Sequence, residues 1–173
     1  MVLIEFFYRW RDEMKVKVRR MTEMEALKIL VWQYAPPYSW YNFEKNESDF
    51  KALVEDDYYC VLSETGKLIG FFCYGEVAQV SAGLEGGFYR DSSYLDIGLG
   101  MNPLLCGKGY GVHFLPIGME YAKRHFSFSK FRLTVASFNY RAIKTYLRVG
   151  FKECGRFLVG KYEFIVMIYE GDS

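Results

Sequence analysis

Long apolar runs, clustered metal-ligand residues and any strong excess of charge are all missing from this chain of 173 residues. No stretch approaches the roughly 20 apolar residues needed to cross a bilayer, so no membrane-spanning segment is expected. Cys60, Cys73, Cys106 and Cys154 are scattered with no CxxC pair, and His113 and His125 belong to no compact ligand set. A zinc site is therefore not expected, and the thiols read as reduced ones in a cytoplasmic protein. A net charge of +1 argues against a nucleic-acid binder on total charge. Repeats, low-complexity tracts and linkers are also missing, so residues 1–173 are expected to form one domain. The first 13 residues hold Arg9, Arg11, Asp12 and Glu13 around a short aromatic stretch, a poor signal peptide. They read as an extra strand or a start-site extension before a first strand that begins at Met14.

What is present is an ordinary globular balance, 51% apolar and 25% charged, long enough to bury a real core without staples. Lys15–Arg19 alternates charged and apolar residues, as a half-buried strand does. Thr22-Glu23-Met24-Glu25 is a capping box, opening a helix that runs through Leu27, Leu30 and Val31 and stops at Ala35-Pro36-Pro37. A second short helix is expected from Ser48 through Val54. Tyr58–Leu62 and Leu68–Tyr74 read as a hairpin turning at Glu64-Thr65-Gly66-Lys67. Residues 81–93, with three glycines and several small polar residues, read as a mobile loop. A strand at Phe131–Ala136, a helix at Asn139–Val149 ended by Gly150, and an antiparallel pair at Cys154–Val159 and Tyr162–Tyr169 complete the chain.

Residues 95–111 carry the most information. Leu95–Met101 is a strand rich in glycine, Asn102-Pro103 a turn, and Cys106-Gly107-Lys108-Gly109-Tyr110-Gly111 a loop with little side-chain bulk. Val112, Leu115, Met119 and Ala122 then recur at helical spacing. Strand, glycine loop and helix start make a phosphate cradle, because free backbone N–H groups converge where the helix carries about half a positive charge. A phosphorylated ligand is expected. The helix joins two strands that should be parallel, by a right-handed crossover.

This order of elements, with these motifs, resembles the GNAT superfamily of acyl-CoA N-acyltransferases. The family's acyl-CoA loop reads Gln/Arg-x-x-Gly-x-Gly/Ala, and here it begins at Cys106. A second family segment, Asn-x-x-Ala-x-x-x-Tyr-x-x-x-Gly-Phe, appears as Asn139, Ala142, Tyr146, Gly150 and Phe151. The resemblance covers roughly residues 14–170. It implies an α/β fold: a mixed, mostly antiparallel central sheet flanked by helices. One parallel pair, about 94–101 and about 131–136, splays around the CoA site. Cys106 departs from the family pattern and removes one polar contact, which the backbone amides do not need. Pro116 and Gly118 fall inside the next helix, where a proline costs about 3 kcal/mol, and a kink is expected there. Thr134 or a neighbour stands where some relatives place a catalytic Glu.

The implied activity is N-acetyl transfer from acetyl-CoA to a primary amine by direct attack, without metal. Donor contacts fall to Leu99, Gly100 and Met101 along the pantetheine, to Gly107, Lys108, Gly109, Tyr110, Gly111 and Val112 at the diphosphate, and to Asn139 and Tyr146. Tyr146 is the general acid for the leaving sulfur, since a phenol of pKa about 10 roughly matches an alkyl thiol. The N–H of Met101 is an oxyanion donor. Asp96 is the candidate base, directly or through water, with pairing to an arginine as its alternative. Gly98 and Gly100 weaken a strand unless it bulges or a ligand comes close. Direct transfer leaves no role for Cys106 as a nucleophile.

Trp32, Tyr34, Tyr38 and Tyr41 lie with Trp40 and Phe43 where the family builds an acceptor wall, followed by Glu44, Glu47, Asp49, Glu55, Asp56 and Asp57. Aromatic faces beside carboxylates suit a cationic amine, of a small molecule or a peptide. Dimerisation is common in the family and the residues leave it open. Two other functions compete. One is a non-catalytic acyl-CoA-binding regulatory module. The other is a mononucleotide-binding protein, which would want the GxxxxGK[ST] loop missing here.

Overall fold

The computed structural model describes residues 7–11 and 14–171. Asp12 and Glu13 lie outside the described residues. Among the described residues eight strands are formed: β1 Phe7–Arg11, β2 Met14–Arg20, β3 Tyr58–Ser63, β4 Leu68–Tyr74, β5 Tyr94–Met101, β6 Lys130–Ala136, β7 Lys152–Val159 and β8 Tyr162–Tyr169. Their order in the sheet is β1-β2-β3-β4-β5-β6-β8-β7. Pairs β1–β2, β2–β3, β6–β8 and β7–β8 are antiparallel. The pair β5–β6 is parallel, in register from Tyr94 opposite Lys130 to Asp96 opposite Arg132. The α-helices among the described residues are α1 Glu23–Leu30, α2 Glu47–Glu55, α3 Ser81–Glu85, α4 Gly111–Phe126 and α5 Tyr140–Val149. This is the mixed, mostly antiparallel α/β architecture expected, with β1 as the extra strand ahead of Met14. The chain divides into two compact units, one of residues up to Phe72 with Leu99–Ile117, the other of Cys73–Gly98 with the residues from Gly118 onward.

In the first unit the core gathers Met21, Ala26, Ile29, Leu30, Leu53, Cys60, Leu62 and Phe71, with Trp32, Phe43, Phe50 and Tyr58 packed against it. Each fully buried Leu or Ile here contributes about 1.5–3 kcal/mol. Helix α1 buries Glu25, Ala26, Ile29 and Leu30, while Leu27 and Val31 are each 58% exposed, so its inward face is turned from the one expected. The capping box does not close either. Thr22 makes no cap to a backbone amide, and its hydroxyl donates to the buried Glu25 carboxylate instead. Arg19 reaches the same carboxylate at 3.1 Å. Helix α2 starts one residue before Ser48, capped by Asn46, whose side chain accepts from the Asp49 amide. The hairpin β3–β4 turns at Gly66, whose φ of +79° favours glycine.

In the second unit the expected loop at 81–93 contains helix α3. Gly83 allows this: a Cβ there would stand 2.7 Å from the Tyr89 ring and 2.9 Å from that of Phe157. The glycine that read as a loop signal serves close packing. Helix α4 belongs to the first unit up to Ile117 and to the second from Gly118, and runs from Gly111 to Phe126 with Pro116 inside it. Asn139 caps α5 by accepting from the Ala142 amide at 3.2 Å, and Gly150 ends it in the left-handed region at φ 111°. Strand β7 pairs with β8 but bulges between Glu153 and Gly155, and Arg156 bonds to both Glu153 and Glu163.

Candidate active site

Strand β5 ends at Met101, and the next peptide is held from its nitrogen side. Asn102 donates its backbone N–H to Ile69 O at 2.8 Å and its side-chain amide to Leu68 O at 3.2 Å. Its Oδ1 accepts from the Leu104 amide and opens a short 3-10 turn at Pro103–Leu105. The glycine loop follows, with Gly107 at φ 73° and Gly109 at φ 77°. Gly109 faces open space where a Cβ would stand. The α4 ladder begins with His113 and Phe114, both donating to Tyr110 O at 3.0 Å. No carbonyl among the described residues takes the amides of Gly107, Lys108, Gly109 or Gly111. Donors without partners, low bulk and a helix start fit a diphosphate. Lys108 is exposed beside them. Val112 lies in the first turn of α4.

Leu99, Gly100 and Met101 close the strand before this loop, and packing within the protein already requires glycine at position 100. A Cβ on Gly100 would collide with the Phe71 ring, and one on Gly70 with the Gly100 carbonyl. In the second unit, a Cβ on Gly98 would meet Cys73 Sγ. At both Gly98 and Gly100 the protein itself makes a close approach.

The aromatic segment after α1 separates into distinct roles. Trp32 stacks on Phe71 at 6.3 Å between centroids and belongs to the core edge. Tyr38 and Tyr41 bound a 3-10 turn in which Trp40, 44% exposed, stands edge-on to Tyr41 at 5.3 Å. Tyr34 points elsewhere: its hydroxyl donates to Met101 O at 2.7 Å. Burial raises the Tyr34 phenol well above its ordinary value, with Cys106 adding to the effect, so it stays a donor. Of the acidic residues that follow, Asp49 accepts from the Glu44 amide, Asp57 pairs with Arg20 at 2.8 Å, and Glu55 with Lys51 at 3.8 Å.

In the second unit, Asp96 takes the alternative weighed for it. Arg132 grips it twice, Nε to Oδ1 at 2.6 Å and Nη2 to Oδ2 at 2.8 Å, and Gln79 donates to Oδ2 at 2.8 Å. The two side chains are only 5% and 4% exposed. Burial works to lower the Arg132 pKa, but the bond to Asp96 together with the charges of Asp96, Tyr89 and Asp91 raises it overall, and the guanidinium stays charged. Arg132 also donates to Asp91 O and Tyr89 O, so it staples the segment before β5 onto β6. Tyr89 Oη shares a hydrogen bond with Thr134 Oγ1 at 2.7 Å and accepts from the Val80 amide. Burial raises the Tyr89 phenol, partly offset by Thr134. A carboxylate so fully engaged is an anchor, the arginine pairing that stood as the alternative reading of Asp96.

Tyr146 sits on the inward side of α5, 8% exposed, its ring 6.2 Å from Phe151. Asn139 and Tyr146 share that helix, about 10 Å apart along its axis. Arg132, Gln79 and Asn102 are the site-region residues that sequence reading missed. For Arg132 a signal existed: one basic residue and one acidic residue, each inside an apolar strand of a parallel pair.

Among the described residues, no group of His, Cys, Asp and Glu could hold a metal, and no helix is long and apolar enough to cross a membrane. No curated protein matches the sequence. Among solved structures, a GNAT-family acetyltransferase from Bacillus anthracis superposes with a TM-score of 0.69 at 12% identity, over 95% of this chain and 98% of that one. Aminoglycoside acetyltransferase AAC(6')-Ib in complex with coenzyme A gives 0.69 at 18% identity, over 89% and 94%. A spermidine N-acetyltransferase SpeG chimera from Vibrio cholerae and hSSAT gives 0.62 at 18%, over 88% and 93%. At such identities the likeness is one of fold. The model of the acetyltransferase (GNAT) family matches residues 18–151, and the chain belongs to that family and is an acyltransferase.

Proposed function

We propose that the protein transfers an acetyl group from acetyl-CoA to the primary amine of a small cationic molecule, by direct attack. The observation that carries this reading is the run of unpartnered amides at Gly107, Lys108, Gly109 and Gly111, opening α4 in a GNAT chain. Those amides, with Tyr110 and Val112, would hold the donor's diphosphate, Leu99–Met101 its pantetheine arm, and Asn139 would contact that arm as well. Transfer forms one N–C bond and breaks one C–S bond. The amine gives up a proton and the sulfur takes one. Tyr146 supplies the sulfur's proton, and the Met101 N–H steadies the carbonyl oxygen while charge develops on it. Asp96 anchors β5 in this reading, and the amine's proton leaves to solvent. Neutralising an ordinary alkylamine at pH 7 then costs about 4–5 kcal/mol, so turnover should climb from pH 7 to pH 9.

The acceptor class rests on two supports. Tyr38, Trp40 and Tyr41 carry partly or well exposed rings, with exposed Glu44 and Glu47 just beyond. Two structures of this fold are named for an aminoglycoside and for spermidine, both polycationic amines. The test is thiol release from acetyl-CoA across spermidine, kanamycin and a peptide amine. Turnover with a small polyamine or aminoglycoside is expected. Tyr146→Phe should cut it by about 10²–10⁴ while coenzyme A still binds. Undiminished turnover in that variant, or tighter binding of ATP than of coenzyme A, would overturn the reading.

A further inference from the structure

The peptide groups on either side of Met101 are oriented from one face. The Asn102 N–H points to Ile69 O on β4, and the Gly100 carbonyl packs against Gly70 on the same strand. In trans peptides N–H and C=O point opposite ways, so both the N–H and the carbonyl of Met101 look away from β4. The carbonyl meets the Tyr34 hydroxyl at 2.7 Å, and Cys106 Sγ lies 3.7 Å from the same oxygen. Tyr34 is itself tied down, its backbone N–H donating to Asn42 Oδ1 at 2.8 Å. Asn42 in turn closes the 3-10 turn by donating its N–H to Ser39 O. Tyr34 is thus fixed at its backbone and spends its one polar side-chain atom on the last carbonyl of the donor strand.

We propose that Tyr34 is a positioning residue for the Met101 N–H: its hydroxyl caps the Met101 carbonyl, so that Met101 offers an incoming thioester a donor with no competing acceptor. The proposal rests on the reading that Leu99–Met101 lies along the acyl donor. A bare carbonyl beside the thioester oxygen would repel it, and without the cap the peptide is free to tilt. Tyr34 was expected as an acceptor-wall residue, and this role adds a task for its hydroxyl on the donor side.

The test compares acetyl-CoA with coenzyme A, which differ by the group the Met101 N–H would meet. Isothermal titrations of wild type and Tyr34→Phe are run with both, and the phenylalanine keeps the ring packing. The variant should bind acetyl-CoA about tenfold more weakly, the loss of one well-placed hydrogen bond, with coenzyme A within about twofold. Equal weakening of both ligands means Tyr34 only shapes the strand, and overturns the proposal, as does no change with either. If wild type binds neither ligand, the donor reading itself has failed, an outcome distinct from those two.

Discussion

Asp96 and Arg132 show how far one residue's surroundings can redirect its chemistry. Removing one partner of a buried, hydrogen-bonded ion pair leaves the other charge stranded, typically at about 3–5 kcal/mol. Arg132→Met should therefore destabilise the fold by about that amount in urea titration. The double variant with Asp96→Leu should recover most of the loss. A single variant as stable as wild type would remove the anchoring role. Glu25 gives a pH-dependent counterpart. Burial pushes its carboxyl up, but the bonds from Arg19 and Thr22 outweigh burial and hold it below the ordinary value of 4.5. A lowered folded value means stabilisation that is complete above the unfolded value and is lost as pH falls through the folded one. Glu25→Gln should be less stable than wild type at pH 7, and the gap should close below about pH 4. A gap that persists in acid, measured by urea melts at both pH values, would contradict the pairing. At this scale the sequence was readable where bonds are local. Asn139 and Gly150 cap α5 within a turn of themselves. The partner of Asp96 was hidden because it depends on strand register across 36 residues.

Elements were legible wherever periodicity or a local stop signal spoke for them, as in α2, α5 and the β3–β4 hairpin. Helix α3 was missed because glycine and small residues serve loops and tight packing alike. The phase of α1 was misjudged because Glu25, tied to Arg19 and Thr22, turns inward and rotates Leu27 and Val31 to solvent. Strand β5 offers a test of why its glycines are there. Gly100→Ala should cost about 1–3 kcal/mol, the usual penalty for overpacking, because its methyl group meets the Phe71 ring. Adding Phe71→Leu should return part of that stability. Full tolerance of alanine by thermal melting would restore the idea that Gly100 serves a ligand.

For the molecule as a whole, the parallel crossover and the strand sequence were readable because helix α4 lies between two strands and opens from a glycine loop. The division into two units was not, since strands β4 and β5 each cross it in mid-course without any compositional break. Charge is distributed unevenly along the chain: Met101–Lys152 holds nine Lys or Arg against Glu120 alone. A polyanionic donor should feel that excess, and salt shortens its reach from about 10 Å at 0.1 M to about 3 Å at 1 M. Coenzyme A should accordingly bind several-fold more weakly across that range in titrations. Salt-independent binding would assign those residues to solvation only.

Strand β7 closes the sheet order at one end, where exposed backbone could template another copy. Its bulge at Glu153–Gly155 and the grip of Glu153 and Glu163 on Arg156 make that rim crooked and salted with charge. Neighbouring molecules find no straight ladder to extend, so crowding should not draw this enzyme into ribbons along that side.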